Sequence, residues 1–322
     1  ISGAYSTVAR APGHGTVGAA DPPACLRMFA VTAPTNAPSL RDWVALIRLD
    51  RPVGIWLLLW PTLWGVWAAA EGLPSWPILS VFVLGTVLMR SAGCAINDAA
   101  DRDFDVHVRR TRDRPVAAGR ITRRQAIVVA ALLALVSLAL LLSLRSLPAV
   151  LWSIPAVVLA GVYPLMKRVI ALPQAVLGLA FSWGIPMAYA ATRGGVPWQE
   201  AGWLMAANFC AVMAYDTAYA MSDKPDDLKI GVKSSAIYFG RWDVLAVLGF
   251  NVLMVFCLLV FARQAGLAPL FYVALVAVLG GVLALQQRLM RRADAAFAVF
   301  KASHWLGTGV WLGLVITYGV TG

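Results

Sequence analysis

Charged residues are scarce in this sequence. Asp, Glu, Lys and Arg make up only 13% of its 322 residues, whereas roughly 25% is usual in soluble globular proteins. Hydrophobic residues make up 60% of the chain, and several apolar runs reach the roughly 20 residues that a helix needs to cross a bilayer. The composition excludes an ordinary soluble protein and predicts one that crosses a membrane several times.

Cysteine and histidine are scarce as well. The four cysteines lie far apart, and neither they nor the three histidines show the spacing of a metal site. These residues are Cys25, Cys94, Cys210, Cys257, His14, His107 and His304. Three of the cysteines fall in or beside apolar runs, which favours a role in packing.

The N-terminus lacks the apolar stretch of a secretory signal. Residues 1–27 are rich in Gly, Ala and Pro, the chain begins at Ile1, and the first methionine is Met28. We expect residues 1–40 to form a disordered tail, or to lie partly upstream of a true start at Met28. Residues 41–322 are then expected to form a single domain.

Apolar runs between Pro, Gly and charged residues predict nine membrane-spanning helices. The runs lie near residues 53–70, 76–96, 125–144, 147–163, 172–191, 201–221, 243–262, 267–286 and 304–321. Because the third and fourth runs are separated by only a few residues, they predict a tight helical hairpin. The predicted fold class is an all-α, polytopic membrane bundle.

The formal net charge of +11 resides in the loops between these runs. If the N-terminus is cytoplasmic, the outward loops contain three basic residues, Arg145, Arg193 and Arg263, and the inward loops contain seventeen. This asymmetry follows the positive-inside rule. It predicts a cytoplasmic N-terminus and an outward C-terminus, and it accounts for the basic charge without nucleic acid as a partner.

Nine of the sixteen acidic residues lie in two short segments, both cytoplasmic in this topology. Five follow the second span, namely Asp98, Asp101, Asp103, Asp105 and Asp113. Four end or follow the sixth span, namely Asp216, Asp223, Asp226 and Asp227.

The spacing within these segments is helical. Steps of four place Asn97, Asp101 and Asp105 on one face of a continuing helix, and Asp223 and Asp227 on one face of another. Like charges at this spacing destabilise a helix unless something neutralises them. Hard oxygen ligands with water suit Mg²⁺, which often binds phosphate oxygens too. Two matched clusters therefore favour a Mg²⁺–phosphate site over two solvated loops.

Basic residues flank both clusters, and Arg and Lys pair well with phosphate oxygens. The candidates are Arg110, Arg114, Lys224, Lys229 and Lys233. The same positions also fit a purely topological role, so both interpretations stay open.

At these motifs the sequence resembles the UbiA superfamily of intramembrane prenyltransferases. The first signature of that family, N-D-x-x-D-x-x-x-D followed by R-T-x-x-R-P, is matched by NDAADRDFDVHVRRTRDRP, and the second, D-x-x-x-D, by residues 223–227. The stretches RPVGIWLLLWPTLW and YDTAYAMSDKPDDLKIGVKSSA resemble its 4-hydroxybenzoate polyprenyltransferase branch. Similar stretches continue from Trp43 to the last span.

The resemblance implies nine helices around a central cavity that opens towards membrane lipid. It implies Mg²⁺ ions that bridge a prenyl diphosphate between the motifs. Matched by position, the metal ligands are Asn97, Asp101, Asp105, Asp223 and Asp227, and the residues that support those ligands are Asp98 and Asp226.

Further residues are candidates for substrate contacts. Arg90 lies inside the second span, where it is a candidate for binding an acceptor carboxylate or for a structural ion pair with a motif aspartate. Arg168 is a candidate for catalysis at the acceptor or the diphosphate, with topology as the alternative. Tyr163, Tyr215 and Tyr219 are candidates for lining the cavity and stabilising an allyl cation through their π faces, with interfacial anchoring as the alternative.

The expected function is transfer of a polyprenyl group from polyprenyl diphosphate to the ring carbon ortho to the hydroxyl of 4-hydroxybenzoate, with release of pyrophosphate, in ubiquinone biosynthesis. The expected location is a bacterial inner membrane, with the active site on the cytoplasmic side. Homogentisate and dihydroxynaphthoate remain alternative acceptors. An ion-coupled transporter is an alternative of another class, although its charges would lie near the midplane of the bilayer. A CDP-alcohol phosphotransferase is disfavoured because its D-x-x-D-G-x-x-A-R pattern is missing from the sequence.

Overall fold

A computed structural model describes residues 37–291 and 295–321. The expectations for a tail or a start at Met28 therefore fall on residues that lie almost wholly outside the described part. Within the described residues every regular element is helical, as expected. The helices are α1 (Leu40–Leu46), α2 (Val53–Ala70), α3 (Trp76–Asp105), α4 (Arg123–Ser143), α5 (Leu147–Val169), α6 (Pro173–Ser182), α7 (Gly184–Arg193), α8 (Trp198–Ile230), α9 (Ser235–Phe239), α10 (Asp243–Gln264), α11 (Pro269–Arg291), α12 (Ala296–Ala302) and α13 (His304–Thr321).

Seven segments of the described chain are helical, long and apolar enough to cross a membrane. The predicted all-α, multi-pass architecture is thereby confirmed, whereas the count of nine is not. The predicted spans at 201–221 and 304–321 do lie in helices, α8 and α13, but these two helices are outside the seven. Helix α8 contains many polar and charged residues, and α13 is interrupted by glycine and threonine.

The predicted span at 172–191 is divided into two helices. α6 ends at Ser182 and α7 begins at Gly184, so the regular helix is interrupted at Trp183. Pro186 lies in the first turn of α7, where its missing N–H is tolerated. A side chain at Gly184 would lie 2.6 Å from Oγ1 of Thr62 on α2, and only glycine allows this approach.

The interior of the bundle is built around α2, most of whose residues are buried. A Cβ at Gly65 would lie 2.8 Å from the backbone of Ile185, and a Cβ at Gly307 would lie 2.9 Å from Trp60. Small residues let helix backbones approach closely where van der Waals packing provides the attraction within a bilayer. Trp64 is buried here and donates its indole N–H to the carbonyl of Gly307 at 2.9 Å.

Two helices extend beyond the length that a bilayer requires. α3 has 30 residues and ends at Asp105, and α8 has 33 residues and ends at Ile230. The predicted continuation of both helices through the acidic segments is confirmed, even though Pro225 lies within α8. Both acidic motifs therefore lie in the last turns of long helices.

The loop between α3 and α4 is packed against the bundle. Val116 and Ile121 are buried in it, and Thr111 donates its hydroxyl to the carbonyl of Asp105 at 3.0 Å. At the N-terminal edge, Arg120 binds Asp42 of α1 at 2.7 Å. α1 and this loop thus cover the end of α3 that carries the first motif.

Candidate functional site

A cavity of about 1080 Å³ lies inside the bundle. Residues of α2 to α8 and α12 line it. Most of its wall is apolar, formed by side chains such as Phe82, Met89, Leu138 and Val157. Arginines and motif residues line one end, so a single space joins a charged mouth to an apolar chamber.

The three carboxylates of the first motif are buried. Asp98, Asp101 and Asp105 expose only 1%, 6% and 7% of their surface. Nη1 of Arg114 lies 2.8 Å from Oδ2 of Asp105 and 3.2 Å from Oδ1 of Asp98. Nη2 of Arg48 lies 2.8 Å and 3.1 Å from the two oxygens of Asp98. Guanidinium groups thus compensate the buried negative charge, as a buried carboxylate requires.

Asp101 faces a different arginine. Nη2 of Arg168 lies 3.8 Å from Oδ1 of Asp101, and it donates a hydrogen bond to the carbonyl of Ala100 at 2.9 Å. The Arg168 guanidinium also lies over the ring of Phe104, 4.6 Å from its centre. The structure therefore brings this arginine, in the last turn of α5, to the first motif.

The second motif is bound by the loop that follows the first. Arg110 donates hydrogen bonds to both oxygens of Asp223, with Nε 2.9 Å from Oδ1. Its guanidinium lies 4.4 Å from the centre of the Tyr219 ring. Burial alone would lower the pKa of the Arg110 guanidinium. The hydrogen bonds to Asp223 and the charge interactions with Tyr219 and Asp223 together outweigh burial, so the pKa is raised overall. Arg110 is therefore a permanent cation between the two motifs.

The remaining residues of the second motif are more peripheral. Asp226 pairs with Arg109 at 3.5 Å and with Lys229 at 3.4 Å. Asp227 follows Asp223 by one turn, close to the end of α8. Of the predicted metal-motif residues, Asn97 lines the cavity, as does its neighbour Asp98. Asp105 is bonded to Arg114 and Asp223 to Arg110, and both arginines line the cavity.

Arg90 lies deeper in the cavity wall. Its Nε donates to the carbonyl of Gly54 at 3.2 Å, and its Nη1 lies 2.7 Å from the sulfur of Cys94. The guanidinium is 5.7 Å from the centre of the Phe181 ring. The Arg90 guanidinium is therefore a cation held in the cavity wall, between the charged mouth and the apolar chamber.

All three predicted tyrosines, Tyr163, Tyr215 and Tyr219, line the cavity. Tyr219 makes an edge contact with Phe300, with ring centres 4.8 Å apart. The hydroxyl of Tyr215 is buried without a hydrogen-bond partner among the described residues. Aromatic faces and one unsatisfied hydroxyl therefore border the space beyond the motifs.

The predicted lysines are engaged elsewhere. Lys224 binds the carbonyl of Gly240 at 2.7 Å and Asp243 at 2.8 Å. Lys233 donates to the carbonyl of Val169 at the end of α5, at 2.9 Å. These contacts tie α8 and its following turn to neighbouring segments, and a phosphate-binding role for the lysines stays a prediction.

Four charged residues that the sequence did not single out as site residues also line the cavity, namely Arg48, Arg51, Asp216 and Lys301. Only Asp216 had a usable signal, because it precedes Asp223 by seven residues as Arg90 precedes Asn97. Arg48, Arg51 and Lys301 lie outside both motifs, and their contribution depends on the folded structure.

The donor atoms at the mouth fit a hard cation. No three His, Cys, Asp or Glu side chains within residues 37–291 and 295–321 lie close enough together to hold a metal by themselves. However, Oδ1 of Asn97 is buried with no hydrogen-bond partner in the described part of the chain. Mg²⁺ is usually held by one or two carboxylates together with water and substrate phosphate. An unsatisfied amide oxygen beside carboxylates matches that pattern.

The helical bundle, its membrane-spanning segments and the cavity define the class of protein: a multi-pass membrane protein with an internal cavity that is charged at one end and apolar at the other. The model of the UbiA prenyltransferase family matches residues 58–307. The chain belongs to the UbiA prenyltransferase family.

Relatives named 4-hydroxybenzoate octaprenyltransferase are similar over nearly their whole length. The protein from Herminiimonas arsenicoxydans is 48% identical over 281 residues, which are 87% of this chain and 98% of the relative. The protein from Nitrosospira multiformis is 50% identical over 286 residues, which are 88% of this chain and 98% of the relative.

Solved structures of UbiA homologues share the fold. An apo homologue from Aeropyrum pernix K1 matches with a TM-score of 0.70 at 22% identity, covering 82% of this chain and 97% of that one. A homologue from Archaeoglobus fulgidus bound to GPP and Mg²⁺ matches with a TM-score of 0.66 at 17% identity. The match covers 85% of this chain and 99% of that one.

Proposed function

We propose that the protein is a Mg²⁺-dependent 4-hydroxybenzoate polyprenyltransferase. It transfers a polyprenyl group from polyprenyl diphosphate to the ring carbon ortho to the hydroxyl of 4-hydroxybenzoate and releases pyrophosphate. The observation that carries the proposal is the cavity of about 1080 Å³ that joins buried acidic motifs and arginines to an apolar chamber. The names of relatives at about half identity support the acceptor and the polyprenyl donor.

The charged mouth suits a diphosphate group. Arg110 and Arg114 line the cavity, and their guanidinium groups, which bind carboxylates here, fit phosphate oxygens equally well. Asn97, Asp101, Asp105, Asp223 and Asp227 are the residues that would hold Mg²⁺. When bound, the metal supplies positive charge that favours departure of the pyrophosphate. The homologue from Archaeoglobus fulgidus, which is bound to GPP and Mg²⁺, supports a prenyl diphosphate and Mg²⁺ as the ligands.

The apolar chamber suits the other half of the donor. Side chains such as Phe82, Leu138 and Val157 exclude water from the allyl group, whose cationic character would otherwise end in hydrolysis. Tyr163 and Tyr219 line this space, and aromatic rings there would stabilise positive charge through their π electrons.

Arg90 suits the carboxylate of the acceptor. It is a cation in the cavity wall, held by the carbonyl of Gly54 rather than left mobile. A carboxylate bound there would direct the aromatic ring of 4-hydroxybenzoate towards the tyrosines. The ring carbon beside the hydroxyl would then meet the allyl group at the boundary between mouth and chamber.

The setting that we propose is a bacterial inner membrane, with the N-terminus and the active site on the cytoplasmic side and the C-terminus outside. The asymmetry of basic residues between loops supports the orientation. The bacterial sources of the relatives and their names support a place in ubiquinone biosynthesis.

An acceptor panel tests the proposal. Purified protein in nanodiscs receives farnesyl diphosphate with 4-hydroxybenzoate, homogentisate or dihydroxynaphthoate, in Mg²⁺ or in EDTA. We expect pyrophosphate and prenylated product in equal amounts with 4-hydroxybenzoate and Mg²⁺, and neither in EDTA. Folded protein that prenylates homogentisate or dihydroxynaphthoate instead would overturn the assigned acceptor. Folded protein that forms no prenylated product would overturn the reaction and favour the ion-coupled transporter.

A further inference from the structure

Arg48 makes a long-range contact with the first motif. It lies in the turn between α1 and α2 and is separated from Asp98 by 50 positions. Its Nη2 donates to both oxygens of Asp98 at 2.8 Å and 3.1 Å, and its Nη1 donates to the carbonyl of Ala45 at 2.8 Å. The guanidinium is therefore fixed at two points.

The backbone of Arg48 adopts an unfavourable conformation. Its φ of 60° lies in the left-handed region, which a residue with a side chain enters only at an energetic cost. The contact with Asp98, which is 1% exposed, is a compensating interaction.

Asp98 also competes for a second arginine. Nη1 of Arg114 is 3.2 Å from Asp98 and 2.8 Å from Asp105, so two carboxylates share one guanidinium. These carboxylates are seven residues apart on α3 and lie on the same face of the helix. With Arg48 present, two cations face two anions. Without it, the buried charge of Asp98 would be compensated only by Arg114.

We propose that Arg48 is a positioning residue for the diphosphate site. By neutralising Asp98, it leaves Arg114 at Asp105 and directed to the mouth of the cavity, ready for a phosphate oxygen. This inference rests on the proposed function, and it assigns Arg48 an action through Asp98 and Arg114 rather than a contact with substrate.

Two other roles for Arg48 make different predictions. Arg48 also lines the cavity, so it is close enough to be considered as a direct ligand of the diphosphate. Alternatively, it serves only to attach α1 to the bundle. Removal of the negative charge of Asp98 separates these roles, because only a positioning residue becomes dispensable when the charge that it neutralises is gone.

The experiment measures binding of inorganic pyrophosphate in MgCl₂ to detergent-solubilised protein by calorimetry. The variants are Arg48→Met, Arg48→Gln, Asp98→Asn, the double variant Arg48→Met/Asp98→Asn and Arg48→Lys. Arg120→Met is the matched control, because Arg120 attaches α1 through Asp42 at 2.7 Å without lining the cavity. Thermal unfolding and gel filtration establish that each variant is folded.

We expect Arg48→Met to weaken pyrophosphate binding about tenfold, since removal of one partner leaves a buried charge that draws on the other. The double variant is expected to recover most of the affinity, and Arg120→Met to keep it. Arg48→Lys, which retains the charge but lacks the fork, should lie between Arg48→Met and the wild type. In steady-state kinetics, Arg48→Met should raise the KM for prenyl diphosphate and leave the KM for the acceptor unchanged.

The outcomes distinguish the inference from the proposed function. A double variant as weak as Arg48→Met would show direct binding by Arg48 and overturn the positioning role. Wild-type affinity in Arg48→Met, or in Arg48→Gln where Arg48→Met does not fold, would also overturn it. A loss in Arg120→Met equal to that in Arg48→Met would show that the attachment of α1 is responsible. Wild-type protein that binds no pyrophosphate in Mg²⁺ would instead contradict the proposed function.

Discussion

Arg110 and Asp223 connect the two acidic motifs. Nε of Arg110 lies 2.9 Å from Oδ1 of Asp223, although the residues are separated by 113 positions. Arg110 belongs to the loop that follows α3, and Asp223 belongs to α8. A single guanidinium therefore holds the ends of both extended helices together, with its flat face on the ring of Tyr219.

Arg110→Lys tests this fork. A lysine keeps the charge but cannot bind two oxygens in one plane or stack on Tyr219 in the same way. We expect kcat/KM for prenyl diphosphate to fall by about one to two orders of magnitude, in line with the roughly 1.5–3 kcal/mol of a charged hydrogen-bonding group. Steady-state kinetics at saturating acceptor measures the change.

Arg109→Lys is the control for this variant. Arg109 is adjacent in sequence, but its side chain is 79% exposed and pairs with Asp226 at 3.5 Å. Its replacement should change kcat/KM less than twofold, since exposed pairs contribute little. Equal effects of the two substitutions would count against a specific role for the Arg110 fork.

Asp101→Ala and Asp223→Ala test the assignment of the metal ligands. Each should abolish turnover and leave the protein folded, because the metal charge that assists pyrophosphate departure is lost. Product formation and thermal unfolding are measured together. Asp103→Ala is the control, since Asp103 lies in the same segment but is 74% exposed and pairs with Arg123 at 3.0 Å. Near-normal turnover in either motif variant would show that the metal ligands lie elsewhere.

Helical periodicity predicted the acidic faces because residues of one helix keep fixed angular relations. It brought Asn97, Asp101 and Asp105 together without any knowledge of the partners of α3. The same rule did not indicate that Asp105 shares Arg114 with Asp98, because that contact depends on how a loop folds back. The contact between Arg48 and Asp98 is equally non-local.

Composition predicted membrane spans well where the helix is apolar throughout. Composition alone did not place the break at Trp183. The local signal in the sequence is Pro186, which has no N–H to donate to the carbonyl of Ser182 four residues earlier. Proximity to the second motif in the sequence made Lys224 a candidate for binding phosphate, with a topological role as the alternative. In the folded chain, its ammonium group is bonded to Asp243 and the carbonyl of Gly240. Charge in a loop predicts a side of the membrane more readily than a partner.

Gly54→Ala tests the acceptor site without replacing the cation. A Cβ at Gly54 would lie 2.5 Å from Nη2 of Arg90, so the flexible guanidinium must move while the backbone stays in place. We expect the KM for 4-hydroxybenzoate to rise about tenfold with little change for the prenyl diphosphate, comparable with the 1–3 kcal/mol of a displaced partner. Arg90→Met should have the same effect or a larger one.

Gly249→Ala is the matched glycine control. Gly249 lies on α10, where a Cβ would meet nothing within 4 Å, and it does not line the cavity. The kinetic constants of this variant should equal those of the wild type. An unchanged KM for 4-hydroxybenzoate in both Gly54→Ala and Arg90→Met would move the acceptor carboxylate to another residue.

Arg193 stabilises the C-terminal end of α2, which lies at the end of the bundle opposite the motifs. At the end of α7, it donates to the carbonyls of Ala68 and Ala69 at 2.8 Å and pairs with Glu71 at 2.8 Å. The last carbonyls of a helix have no partner within the helix. Arg193→Met would leave the last carbonyls of α2 unsatisfied, and we expect a loss of about 1–3 kcal/mol of stability. A lower unfolding temperature in detergent, with unchanged KM values at low temperature, is the expected result.

Arg263→Met is the control for this variant. Arg263 is an exposed arginine near the end of α10, and its replacement should leave the unfolding temperature unchanged. Equal unfolding temperatures for Arg193→Met and the wild type would show that water or lipid satisfies these carbonyls as well as Arg193 does.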